Sequence, residues 1–158
     1  MQLGRITAVT ITSPDLNQVV DIYSDYLNYR LISSSRVNTD QAKNWDAPNL
    51  ENSEMVYMSP ESSDDFFFRF VEQSIDEDYV PFGTYGWNAA ELIVSDVDQS
   101  AEKLIGSPFE VIGEPADLSF TDQIRAMQIM GPSKEIIYLT QFKSKLEEFD
   151  SPSPRCDI

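Results

Sequence analysis

Apolar and polar residues alternate from Ile6 to Thr12, and the period then changes at Pro14-Asp15, after which Leu16, Val19, Val20, Tyr23 and Leu27 recur at helical spacing. The same change returns in the second half. Ala89 to Ser95 alternates, Asp96 stands at a cap position, and a helix is expected through Leu104. In the copies Ala8-Val9-Thr10-Ile11-Thr12-Ser13-Pro14-Asp15-Leu16 and Ala89-Ala90-Glu91-Leu92-Ile93-Val94-Ser95-Asp96-Val97, Ala and Asp lie seven residues apart both times. A strand that runs through an Asp cap into an amphipathic helix, written twice, is an internal repeat.

The first helix is expected to end near Asn28-Tyr29. Arg30 to Val37 then reads as a strand, 38–54 as a polar loop carrying Trp45, Val56 to Ser59 as a short strand and Phe66 to Glu72 as a fourth. In the second half Phe109 to Ile112, Arg125 to Met130 and Glu135 to Phe142 are the expected strands, the last two joined by a Gly131-Pro132-Ser133-Lys134 turn. Each half reads βαβββ, in modules spanning 1–72 and 87–142. An acidic linker, 73–86, broken by Pro81 and Gly83, separates them. After Phe142 the Lys/Glu-rich and then Ser-Pro sequence of 143–158 reads as a short helical piece and a loose end.

The 158 residues, 41% of them apolar, suffice for one compact α+β unit with a buried core. Acidic residues outnumber basic ones 27 to 11, for a net charge of -16, which disfavours nucleic acid and anionic membrane surfaces as partners. The surface is then either simply well solvated or a field that attracts cationic ligands. Cys156 stands alone, so no intrachain disulfide forms. No histidine is present, which excludes imidazole-activated nucleophiles and histidine-ligated metals. No apolar run suits a leader or a membrane span, and the cytoplasm is the expected compartment.

The paired βαβββ order, the strands leading into Asp15-Leu16 and Asp96-Val97, Tyr23 and Leu27 in the first helix, and the Gly131-Pro132 hairpin before Ile137-Tyr138-Leu139 resemble the vicinal oxygen chelate superfamily. This is the glyoxalase, bleomycin-resistance and extradiol-dioxygenase fold. The resemblance covers residues 5 to 142. It implies an α+β fold in which two paired modules form a cupped mixed sheet, with helices on the convex face and a small-molecule site in the concave cup. It also implies pairing into homodimers. The superfamily's metal would sit on four positions, which match Ala8, Ala89, Tyr138 and a residue near Arg69. Methyl groups donate nothing, a neutral phenol is a poor ligand and a guanidinium repels a cation, so neither a metal nor another cofactor is expected.

If Ala8 and Ala89 face the cup, the strand period places Thr10, Thr12, Glu91 and Ile93 beside them. Phe67, Arg69 and Val71 share a face, as do Ile136, Tyr138 and Thr140. The candidate ligand-binding residues are Thr10, Phe67, Arg69 and Tyr138, with Trp87 as an aromatic that can stack on a flat ligand and Arg125 and Gln128 in the seventh strand, of which the period does not decide which faces inward. Glu91 is either a desolvated general base or the counter-charge of Arg69 or Arg125. Two functional classes follow, with a third behind them. The first is a metal-free protein that binds a small organic molecule in the cup. The second is a metal-independent isomerase, lyase or cyclase acting beside a carbonyl, with Glu91 moving the proton. The third is an interaction protein whose cup is filled by its own side chains.

Overall fold

Each copy of the repeated pattern folds as a strand, an Asp cap and a helix. The computed structural model describes residues 6–62, 66–86, 88–143 and 155–156. In chain order it holds β1 (Ala8–Ser13), α1 (Leu16–Leu27), β2 (Tyr29–Arg36), α2 (Thr39–Asn44), a 3₁₀ turn (Pro48–Leu50), β3 (Glu54–Pro60) and β4 (Phe67–Glu72). Then come β5 (Ala89–Val94), α3 (Val97–Lys103), β6 (Glu110–Leu118), β7 (Thr121–Met130), β8 (Ile136–Phe142) and β9 (Arg155–Cys156).

Asp15 and Asp96 stay extended and accept the Gln18 and Gln99 backbone N–H at 2.9 and 3.0 Å, so each satisfies a donor that the first helical turn leaves free. Replacing either by Ala is expected to cost about 1 kcal/mol, and replacing it by Ser or Asn very little. Urea unfolding of the paired variants checks this. Equal losses for Ala and Asn would remove the cap from the account.

The strands form two sheets of matching order, β1-β4-β3-β2 and β5-β8-β7-β6, with β9 added on the free side of β5. In both, the first strand runs parallel to the last of its half, and the register repeats: Ala8 lies opposite Phe67 and Thr10 opposite Arg69, as Ala89 lies opposite Ile136 and Glu91 opposite Tyr138. One face of each sheet builds a shared core. Phe68, Phe70, Val56 and Met58 pack with Val19, Ile22, Tyr23 and Leu27 of α1, and Leu92, Val94, Met127, Ile129, Ile137 and Leu139 pack with Val97 and Leu104 of the α3 region. Tyr23 lies edge-on to Tyr29, Phe68, Phe70 and Phe109, joining the halves.

The segment 38–54 is not the expected loop. Asn38 and Gln41 form a reciprocal capping box that starts α2, and Pro48 opens the 3₁₀ turn. Ala42 and Leu50 then bury against Val37, Met55 and Val71, a second core on the face of the first sheet opposite α1. The part of the expected cup at Met55 and Val71 is thus covered by the chain itself. The strand expected at Phe109 to Ile112 runs on to Leu118 through bulges around Gly113 and Ala116, and β7 begins four residues earlier than expected, at Thr121. Pro115 is tolerated there because β6 is an edge strand. The helical piece expected after Phe142 falls outside the described residues. Arg155–Cys156 is not a loose end, since it pairs in parallel with Ile93 and Val94. No helix among the described residues is long and apolar enough to cross a membrane.

Candidate functional site

Between β1 and β5 lies a cavity of about 1170 Å³, lined by Ala8 to Thr12 on one side and Ala89 to Ile93 on the other. Because consecutive residues line it, the edges of the two strands face it as well as their side chains. The connecting segment supplies Gln73 to Asp76 and Tyr79, and the β7–β8 turn supplies Ser133 to Ile136. What reads in sequence as a linker is therefore also a wall, a role that its composition does not signal. A smaller cavity of about 370 Å³ over the second sheet shares Ala89, Ala90 and Glu91 and extends to Tyr138, Thr140 and Leu118.

Thr10 and Arg69 are joined: Arg69 Nε and Nη2 both donate to the Thr10 hydroxyl, at 2.9 and 2.5 Å. The register of β1 and β4 places them opposite each other on the cup face. Trp45, brought over the sheet by the short helices, lays its ring 4.1 Å from the Arg69 guanidinium. Phe67 shares that face and meets Tyr57 edge-on at 5.3 Å. On the second sheet Glu91 is solvent-exposed and accepts the Thr140 hydroxyl at 2.8 Å. Tyr138 pairs with Glu91 in register on one side and with Gln128 on the other. Of these residues Thr10 and Glu91 line the larger cavity and Glu91 and Tyr138 the smaller one, whereas Phe67, Arg69 and Gln128 stand beside them in register without lining either.

Arg125 is a correction. It shares the parity of Met127 and Ile129, so it faces α3 and not the cup, and it grips Asp98 with two bonds of 2.8 Å while also reaching Asp117. The Arg125 hydrogen bond holds the Asp98 carboxyl below its ordinary range, and a bond from Lys143 does the same for Asp117. Glu91 neutralises neither Arg125 nor Arg69, and it is not desolvated. Trp87 lies outside the described residues.

The polar group that the sequence hid is Glu135. Its carboxylate accepts the Tyr23 hydroxyl at 2.7 Å and the Ser133 backbone N–H at 2.8 Å, tying α1 of one half to the β7–β8 turn of the other. Burial holds this carboxyl above the ordinary range, against the hydrogen bonds from Tyr23 and the backbone that pull it down. Burial, followed by the charge of Glu135, pushes the Tyr23 phenol well above its ordinary value.

The four positions that the resemblance assigns to the superfamily's metal match Ala8, Ala89, Tyr138 and a residue near Arg69, and Arg69 and Tyr138 stand at matching points of the two registers. This donor set does not fit a divalent cation. Among the described residues no three His, Cys, Asp or Glu side chains converge.

No family model and no curated protein matches the sequence. Solved structures do match the fold. A glyoxalase family protein from Bacillus cereus superposes with a TM-score of 0.68 over 91% of this chain and 97% of its own, at 17% identity. A glyoxylase/bleomycin resistance protein/dioxygenase domain from Frankia sp. EAN1pec gives 0.66 over 91% and 96% at 13% identity. Glyoxalase I from Zea mays gives 0.65 over 96% of this chain and 47% of its own, at 16% identity. At such identities the likeness is one of fold: the chain has the α+β vicinal oxygen chelate fold that its repeat led us to expect.

Proposed function

We propose that the protein binds a small organic molecule in the cleft between β1 and β5, through direct contacts from protein groups and without a metal. The cavity of about 1170 Å³ carries this reading, since it is large enough for a drug-sized ligand and sets apolar residues such as Ala8, Ile11, Ala89 and Ile93 beside polar ones such as Thr10, Glu91 and Lys134. The absence of donors at the four metal positions supports the second half of it. Acid–base catalysis by Glu91 has no comparable support, because its carboxylate is open to water and bonded only to Thr140.

Thermal-shift and fluorescence titrations against aromatic and carbonyl-bearing compounds test this. Binders are expected among them, and Ala89→Trp, which puts an indole at a position lining both cavities, is expected to abolish binding while leaving the melting temperature of the free protein nearly unchanged. Dialysis against EDTA is expected to change neither binding nor melting. Binding that survives Ala89→Trp would move the site elsewhere, and binding lost with EDTA and restored by a divalent ion would overturn the metal-free reading.

A further inference from the structure

Arg30, Arg36 and Arg125 each pair with a carboxylate. Among the described residues no carboxylate pairs with Arg69. Thr10 engages two of its five N–H groups and Trp45 covers one face of the guanidinium, which leaves three N–H groups without an acceptor among the described residues. Glu91, on the facing wall, bonds the Thr140 hydroxyl and no cation. The two sites are counterparts in the repeat. Thr10 and Glu91 each stand two residues after the matching alanine, and their strand partners are Arg69 and Tyr138. Among the described residues, a cation without a carboxylate partner thus lies beside Thr10, behind the β1 wall of the cavity, and a carboxylate without a cation lies on the β5 wall.

Lone ions of either sign fit this arrangement poorly. A lone anion at Arg69 works against a net charge of -16 and leaves Glu91 unanswered, a lone cation at Glu91 leaves Arg69 unanswered, and a neutral molecule strips water from both charges without replacing it. We propose that the ligand is a small organic zwitterion, with its carboxylate held at Arg69, its ammonium group at Glu91 and Thr140, and an apolar, flat body along Ala8 and Ala89. This names the ligand class of the small-molecule site proposed above and rests on that reading.

The test is calorimetric titration at low ionic strength with four probes of one shape: tryptophan, N-acetyltryptophan, tryptophanamide and N-acetyltryptophanamide. They carry both charges, the negative alone, the positive alone and neither. Nile red serves as a neutral reporter of the cavity. Tryptophan is expected to bind about tenfold or more tighter than the neutral probe, in line with charge-assisted hydrogen bonds. Arg69→Gln is expected to weaken tryptophan and N-acetyltryptophan about tenfold and leave tryptophanamide unaffected, while Glu91→Gln does the reverse for the two singly charged probes. Melting curves identify any variant that has lost its fold, and each substitution tests the proposal without the other. Equal affinity for all four probes, with Nile red still bound, overturns the zwitterion and leaves the small-molecule site standing. If neither Nile red nor any probe binds, both readings fall.

Discussion

Gly131→Ala is expected to cost about 2–4 kcal/mol of folding stability, a large loss for a single added methyl group at a turn. A Cβ on Gly131 would overlap the Glu135 carboxyl group, which folds back across the β7–β8 turn. That group is not a free side-chain end that can swing aside. Its two oxygens hold the Tyr23 hydroxyl and the Ser133 N–H, and the turn backbone is fixed by bonds from Gly131 N to Glu135 O at 2.8 Å and from Lys134 N to Gly131 O at 3.0 Å. Moving the carboxyl would leave buried polar groups unpaired, and moving the backbone would break the hairpin. In a Glu135→Ala background the overlap is gone, so the same Gly131→Ala change is expected to cost less than about 1 kcal/mol, or even to stabilise by restricting the unfolded chain. Chemical denaturation of the four proteins in this cycle measures the difference. Equal losses in both backgrounds would show that the glycine is needed for its backbone and not for the space above it.

Gly131 illustrates what was legible in the sequence and what was not. A Gly-Pro pair between two apolar runs marks a turn, because turn signals are local, and the same holds for the Asp caps and for the repeat that gives the fold. The face that each strand turns to the core was also legible, since a period of two fixes it once one residue is placed: Phe68, Phe70, Leu92, Leu139 and their neighbours are buried as alternation demands. What failed depends on distant partners. Tyr23 and Glu135 are 112 residues apart, and nothing near either residue announces their bond. Arg125 was placed in the cup because the parity of β7 was not fixed until Met127 and Ile129 were seen to bury. The covering of the first sheet by α2 was missed although a local signal was present, the Asn38 and Gln41 capping box, because a six-residue helix with little apolar surface gives no period to read. Of the candidate site residues, Arg69, Glu91 and Tyr138 follow from strand period and from the repeat. That no described residue of opposite charge pairs with Arg69 or Glu91 is visible in the fold alone.

Replacing Glu135 by Gln is expected to change how stability varies with pH more than its value at any one pH. The folded protein holds this carboxyl above its ordinary value of 4.5, chiefly by burial, so the folded state favours the protonated form. The sign follows from linkage. Glu135 contributes its full stability below pH 4.5, and that contribution is lost as the pH rises through the raised folded-state value. Gln has no proton to lose and keeps an oxygen for the Ser133 N–H or the Tyr23 hydroxyl, so the variant lacks this decline. The other acidic groups also titrate: relief of self-repulsion in a chain of net charge -16 favours the folded state on acidification, whereas Asp98 and Asp117, held low by Arg125 and Lys143, oppose it as the pH falls through their own range. These contributions are common to both proteins and cancel in the difference. Urea unfolding from pH 4 to 8 is therefore expected to show the Gln variant gaining on the parent as the pH rises, with the gap levelling once Glu135 is ionised. A second arm isolates Tyr23: its raised phenol adds stability that is lost only above pH 10, and Tyr23→Phe removes that alkaline loss while leaving the Glu135 oxygen without its donor. Parallel stability curves for parent and Gln variant from pH 4 to 8 would mean that the Glu135 carboxyl reaches water in solution, and the bond tying α1 to the β7–β8 turn would have to be given up.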